Sequence, residues 1–363
     1  MGNIRKAASL GQSIWFDNIE RQMLGESGIL AKMIEEEGLL GITSNPAIFE
    51  KAIAGSDAYI ADIRNEAHEA LTARELFFHL AIQDIRQACD LFAKTYEDTQ
   101  YRDGYVSLEV SPDLAHDANG TIMEARVLWE EVNRPNLMIK VPATKAGLVA
   151  IETLTAEGIN VNVTLIFSLN RYKAVLEAYL KGLEARVKAG LPIDRIASVA
   201  SFFISRIDSV VDSLVAEKAP HLMGKIAVDN AKMAYQHYLF EMGLERAKLL
   251  KKAGMQPQRL LWASTGVKNP EYPELLYLQQ LMGAESVNTV PPKTYQAFLA
   301  AQAEVKAEIA EEIALSEARL AELKSLEIDL NAICDNLEAA GIEQFVSAFD
   351  SLLSTIEHAR SEA

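Results

Sequence analysis

A lysine stands inside an apolar run in "LMIKVPAT", residues 137–144, flanked by Ile139 and Val141. An extended chain sends alternate side chains to opposite faces, so Lys140 shares a face with Met138 and points away from its two branched neighbours. If that face lines an interior, loss of water favours the neutral amine, and a neutral amine attacks a carbonyl to form a Schiff base. A lysine that reaches a rim and keeps its head in water, or one paired permanently with Glu109 or Asp17, fits the same position.

Schiff-base chemistry needs proton traffic. One group helps to expel water from the carbinolamine, and another exchanges a proton with a substrate hydroxyl. Asp17, at the end of "SIWFDN", and Glu109, in "VSLEVSP", are the carboxylates placed for those tasks. In a shared enclosure, neighbouring charge and unequal burial drive their pKa values apart, although either could serve as a fixed counter-ion. "NVNVTLIF" alternates cleanly, with Asn160, Asn162 and Thr164 on one face and Val161, Val163 and Leu165 on the other. Thr43 and Asn45 in "GITSNP", Ser201 in "SVASFF" and Ser264 in "LWAST" also fall near strand ends. Singly, each could satisfy a local turn. Together they are what a binding site at one end of a sheet requires.

Two cations stand just beyond strand ends. Arg206, in "SFFISRID", falls where a helix begins, and free backbone N–H groups and a forked guanidinium both favour phosphate. Pairing with Asp208 is the structural alternative. Lys268, in "ASTGVKNP", lies in a Gly-containing loop, late in the chain where barrels commonly hold phosphate.

The elements that must position these groups alternate short β-branched runs with longer helical patterns, the signature of parallel βαβ units. Strands are expected near 12–17, 39–43, 105–110, 137–141, 159–165, 196–202, 259–264 and 286–290, and eight of them predict a closed (β/α)8 barrel, an α/β fold. Apolar spacing predicts helix over 18–37, stopping at Gly38, and an additional long helix over 72–96. Residues 111–134 read as a turn and then a helix that ends before Pro135. After residue 291 an Ala/Glu-rich stretch predicts one long helix over about 297–330 and further helix to the end. A solvated amphipathic cap on the barrel is the reading favoured there, with a lid or oligomer surface as the functional alternative. The expectation is one barrel domain over 1–363, with its core at about 12–290 and C-terminal helices at about 291–363.

The bulk numbers set limits. With 363 residues, 49% of them hydrophobic and 24% charged, the chain has material for a large core. A net charge of −16 disfavours nucleic acid and anionic membranes as partners, while a few positioned cations still suit a small anionic substrate. Cys89 and Cys334 are too few and too far apart for a disulfide framework. The six histidines lack the spacing of a metal motif, and neither a P-loop nor G-x-G-x-x-G occurs, so neither metal nor cofactor is expected. No signal-like or membrane-spanning stretch is evident, which makes a cytoplasmic protein the expectation.

These segments resemble one family. "GITSNPAIF", "LMIKVPATKAG", "VNVTLIFS", "SFFISRID" and "WASTGVKNP" are similar, in that order, to transaldolase motifs, and the likeness runs from about residue 12 to 290. The longer transaldolase subtype, without a fused phosphoglucose isomerase domain, is the nearest pattern. The resemblance implies transfer of a dihydroxyacetone unit from sedoheptulose 7-phosphate to glyceraldehyde 3-phosphate, giving erythrose 4-phosphate and fructose 6-phosphate. It implies Lys140 as Schiff-base nucleophile, Asp17 as the group exchanging a proton with the donor's C4 hydroxyl, and Glu109 acting through a water held with Thr164. Thr43, Asn45, Asn162 and Ser201 would fix the dihydroxyacetone hydroxyls and Arg206 a phosphate. Lys268 replaces the arginine of shorter subtypes, in a loop two residues longer after Ser264, so Ser264 and Lys268 depart from that pattern.

The partners implied are phosphorylated ketoses and aldoses, with the protein a monomer or homodimer. A fructose 6-phosphate aldolase would share the lysine and barrel but release free dihydroxyacetone, and a non-catalytic sugar-phosphate-binding barrel would use Lys140 only as a counter-ion.

Overall fold

In the computed structural model the described residues are 2–25, 28–54, 56–65, 70–302 and 304–361. Eight short runs form parallel strands: β1 Gln12–Asp17, β2 Gly41–Thr43, β3 Tyr105–Glu109, β4 Leu137–Pro142, β5 Val161–Ile166, β6 Ser198–Phe203, β7 Arg259–Ala263 and β8 Ser286–Val290. They close into a barrel in sequence order, with β8 pairing back to β1. Nearly every strand residue is buried, as a parallel sheet covered by helices requires. The expected strands differ from these by at most two residues at either end.

Register decides which side chains meet. Asp17 lies opposite Thr43, Glu109 opposite Lys140, and Lys140 opposite Asn162. Below this layer Trp15 is fully buried, and a Cβ on Gly41 would stand 2.7 Å from its indole, so only glycine leaves room for the ring. At the strands' N-terminal end, Arg259 and Asp103 form a buried ion pair at 2.9 Å. Asp103 also accepts from Ser13 Oγ at 2.8 Å and Trp15 Nε1 at 3.1 Å. Charge therefore closes that end of the lumen, with every partner satisfied.

The long helix between β2 and β3 runs over Ala73–Asp98 and begins in a capping box between Thr72 and Glu75. Residues 111–134 form a 3-10 turn, Pro112–Leu114, and then a helix, Ala118–Val132.

Two helical expectations need correction. Residues 18–37 do not form one helix but a 3-10 turn, Arg21–Met23, and a helical turn, Ile29–Lys32, running into a π turn, Met33–Glu37. The backbone folds back so tightly that a Cβ on Gly28 would come within 2.2 Å of the Met23 carbonyl oxygen. Gly38, at φ 90°, ends the segment as expected.

The Ala/Glu-rich stretch is likewise divided into Pro292–Ala300 and Ile313–Ser325, with no helix between them among the described residues. There the Glu308 and Ile309 N–H groups both donate to the Met282 carbonyl, and the Ile309 side chain packs against Gly283, where a Cβ would be 2.2 Å away. Tertiary packing overrides local helix propensity. The last helix, Leu330–Ser361, crosses the barrel mouth with Cys334, Ile342, Phe345, Phe349 and Ile356 buried.

Candidate active site

Lys140 enters the lumen near the C-terminal end of β4. Its Nζ lies 3.0 Å from Glu109 Oε2 and donates to the Ser44 carbonyl at 2.9 Å. Both members of the pair are about 95% buried. Burial raises the Glu109 pKa, the nearby lysine opposes the rise, and Asp17 adds to it.

Asp17, half-buried at the end of β1, is raised for the same first reason, with Lys140 and a hydrogen bond from Thr43 pulling the other way. That bond, Thr43 Oγ1 to Asp17 Oδ1, is 2.7 Å, and Thr43 Oγ1 is 2.6 Å from Thr289 Oγ1. A threonine hydroxyl has one proton, so Thr43 gives its own to Asp17 and accepts from Thr289.

On the opposite wall, Ser201 Oγ donates to Asn162 Oδ1 at 2.6 Å, and Asn162 Nδ2 donates to Ser107 Oγ at 3.0 Å. Thr164 Oγ1 is buried and makes no hydrogen bond among the described residues. A register irregularity between Val163 and Ile166, with Leu165 at φ 59°, sets its position. Asn160, on the expected polar face, clamps the far end of the strands, donating to the Pro135 and Leu137 carbonyls and accepting from Ala197 N–H.

Arg206 begins the helix Ser205–Val215, which follows β6. Its guanidinium lies 5.6 Å from the Phe203 ring centroid and has no ion-pair partner among the described residues. Asp208, the alternative partner, instead accepts from the Ala227 N–H at 2.8 Å and Tyr277 Oη at 2.9 Å. Ser264 adopts φ 54° at the end of β7, its Oγ 3.1 Å from Ser205 Oγ, and Lys268 is exposed at the rim. Asn45 is half-buried, its Oδ1 accepting the Ile48 N–H.

One cavity of about 160 Å3 is lined by nine of the eleven residues singled out in the sequence: Lys140, Asp17, Thr43, Asn45, Thr164, Ser201, Arg206, Ser264 and Lys268. Glu109 and Asn162 do not line it, but each is bonded to a residue that does, Glu109 to Lys140 and Asn162 to Ser201. Among the described residues no group of three or more His, Cys, Asp and Glu side chains is placed to hold a metal.

The family model for transaldolase/fructose-6-phosphate aldolase matches residues 14–356. The chain belongs to this family. A protein from Thiobacillus denitrificans named transaldolase is 46% identical over 359 residues, covering 98% of this chain and 99% of its own. Transaldolases from Trichodesmium erythraeum and Neisseria meningitidis are 44% and 43% identical, covering 96% of this chain and 95% and 97% of their own. The family match extends past residue 290, where the motifs stop, and takes in most of the last helix.

That extension bears on the site, because Phe345 of the last helix lines the cavity. The helix is therefore not only a solvated cap. Sequence reasoning also missed Thr289, Ser107 and the Ser44 carbonyl. Period-2 alternation in "SVNTV" puts Thr289 on one face with Val287, and Ser107 shares the face of Glu109, so both were findable. Phe345 lies outside every motif and reaches the site from a helix that begins only at Leu330.

Proposed function

We propose that this protein is a transaldolase, moving a dihydroxyacetone unit from sedoheptulose 7-phosphate to glyceraldehyde 3-phosphate and yielding erythrose 4-phosphate and fructose 6-phosphate. The observation that carries the reading is the buried Lys140 amine, 3.0 Å from Glu109, in a cavity that also holds Asp17 and an arginine with no carboxylate partner among the described residues.

Lys140 Nζ attacks the ketose C2, and the carbinolamine loses its hydroxyl as water to give the protonated imine. Glu109, working through a water held with Thr164, delivers and recovers the protons of that step. Its raised pKa, with burial as the leading cause, makes it a proton donor nearer neutrality than a solvated carboxyl. Asp17 then takes the proton of the C4 hydroxyl as the C3–C4 bond breaks, and the electron pair of that bond moves into the imine to form an enamine. The aldose leaves. Attack of the enamine carbon on an acceptor aldehyde reverses these steps, Asp17 returning its proton to the new hydroxyl.

Asn45, Thr43 and Ser201 orient the hydroxyls of the three-carbon unit, with Asn162 supporting Ser201 and keeping one N–H for the ligand. Arg206 binds phosphate, because a guanidinium at a helix start adds charge to the backbone N–H groups. Ser264 and Lys268 extend that site at the rim as a weaker, monodentate contact. In this reading residues 1–363 form one transaldolase-like barrel domain that acts in the cytoplasm as a monomer or homodimer. No described helix is long and apolar enough to cross a membrane.

Product analysis tests the reading. With fructose 6-phosphate and erythrose 4-phosphate together, sedoheptulose 7-phosphate and glyceraldehyde 3-phosphate form in equal amounts, and fructose 6-phosphate alone gives little free dihydroxyacetone. Steady release from donor alone at the rate of transfer would make the protein an aldolase.

A further inference from the structure

We infer that the C-terminal helix Leu330–Ser361 sets the partition between transfer and release of the three-carbon unit, with Phe345 as the specificity-determining residue. The inference rests on the transaldolase reading and deepens it.

The helix is pinned across the barrel mouth at both ends. Near its start, Cys334 Sγ donates to the Phe167 carbonyl at 3.3 Å, and Arg171 makes a two-pronged ion pair with Glu338 at 2.9 and 3.2 Å. Farther along, Ser351 Oγ donates to Glu50 Oε1 at 2.7 Å, the Phe349 and Phe77 rings meet edge to face at 5.5 Å, and Arg64 Nε donates to the Ala359 carbonyl at 3.0 Å. Between the clamps the helix comes very close to the barrel. A Cβ on Gly341 would lie 2.9 Å from Leu165 Cδ2 and 3.7 Å from an Arg206 guanidinium nitrogen. One turn later Phe345, 7% exposed, completes the cavity wall.

The chemistry makes that wall matter. After C3–C4 cleavage the bound enamine has two fates. If its C3 attacks an aldehyde carbon, a new C–C bond forms and the unit is transferred. If C3 instead takes a proton from water, the imine of dihydroxyacetone forms, and a second water adds to C=N and frees the ketone and the lysine amine. Both routes balance without an oxidant or reductant. They differ in access of water to C3, and excluding water from a reactive intermediate suppresses the second. An aromatic ring on a helix clamped at both ends is a fixed apolar part of that wall, and its removal opens a ring-sized gap in the cavity that Lys140 also lines.

The test measures the ratio of free dihydroxyacetone release from fructose 6-phosphate alone to transfer onto erythrose 4-phosphate, in the parent, Phe345→Ala and Phe345→Leu proteins. A ratio does not depend on the fraction of active enzyme. The ratio is expected to rise about tenfold for Phe345→Ala and by a smaller factor for Phe345→Leu. A ratio within about twofold of the parent in both variants, or a parallel loss of release and transfer, overturns the inference. If Phe345→Ala does not fold, as judged by circular dichroism, the ratio for Phe345→Leu decides by the same threshold. Failure of the parent protein itself to transfer would sink the transaldolase reading instead, so the two failures are distinguishable.

Discussion

Replacing Glu109 with glutamine removes a buried charge while keeping its shape, and the consequences for stability and rate can be worked out separately. At 3.0 Å the pair attracts by about 5 kcal/mol at an effective dielectric constant near 20. The cost of burying Glu109, visible in its raised pKa, offsets part of this, and Asp17 still opposes the lysine charge. Breaking a buried pair from one side costs about 3–5 kcal/mol, so the lower end, about 3 kcal/mol, is expected. At about 2.1 cal/mol/K of unfolding entropy per residue, a 363-residue chain loses roughly 1.3 °C of Tm per kcal/mol, giving a drop of about 4 °C in a thermal melt. Transfer should fall by about 10²–10⁴-fold at saturating donor, the usual worth of a positioned acid or base. Adding Lys140→Met should recover stability, because both charges are then gone, with a coupling of at least about 2 kcal/mol. A Glu109→Gln protein that melts at or above the parent temperature, or transfers within about tenfold of the parent rate, would refute the reasoning.

Other predictions follow from the same geometry. Asp208 is raised from 3.8 to about 7, first by burial, so its contribution to stability is fully present below about pH 4 and is lost as pH rises through about 7. Between pH 5 and 8 the parent should lose about 2.5 kcal/mol more than Asp208→Asn, read by denaturant titration at each pH. Arg206→Leu should raise KM for phosphorylated sugars by about 10–100-fold with a smaller effect on kcat, and Arg206→Lys should recover part of the loss. Arg259→Leu strands the buried Asp103 carboxylate and should cost about 3 kcal/mol. Since that pair lies at the far end of the lumen from Lys140, kcat per folded molecule should be unchanged, as active-site titration would show.

The barrel was legible because its strands are short, apolar and β-branched, and because their polar residues recur at period two on the lumen side. That alternation puts Glu109, Lys140 and Asn162 on the lumen side of their strands, and the barrel's pairing then sets them in adjacent register. Helix boundaries failed where tertiary contacts overrule local preference. The apolar spacing of 18–37 does not encode the close approach of Gly28 to the Met23 carbonyl, and the Ala/Glu content of 301–312 does not encode the pull of Met282 and Gly283 on Ile309. Within the site, residues on the strands were readable from alternation. Phe345 was not, because its presence depends on how a distant helix lies over the mouth, and helical periodicity shows only that it is apolar and faces inward.

Borohydride trapping tests the covalent step most directly. After reduction in the presence of fructose 6-phosphate, mass spectrometry of a digest should show a three-carbon adduct on the peptide containing Lys140, and none in Lys140→Met. An unmodified Lys140 peptide in protein that turns over the sugar, or an adduct on another lysine, would contradict the account.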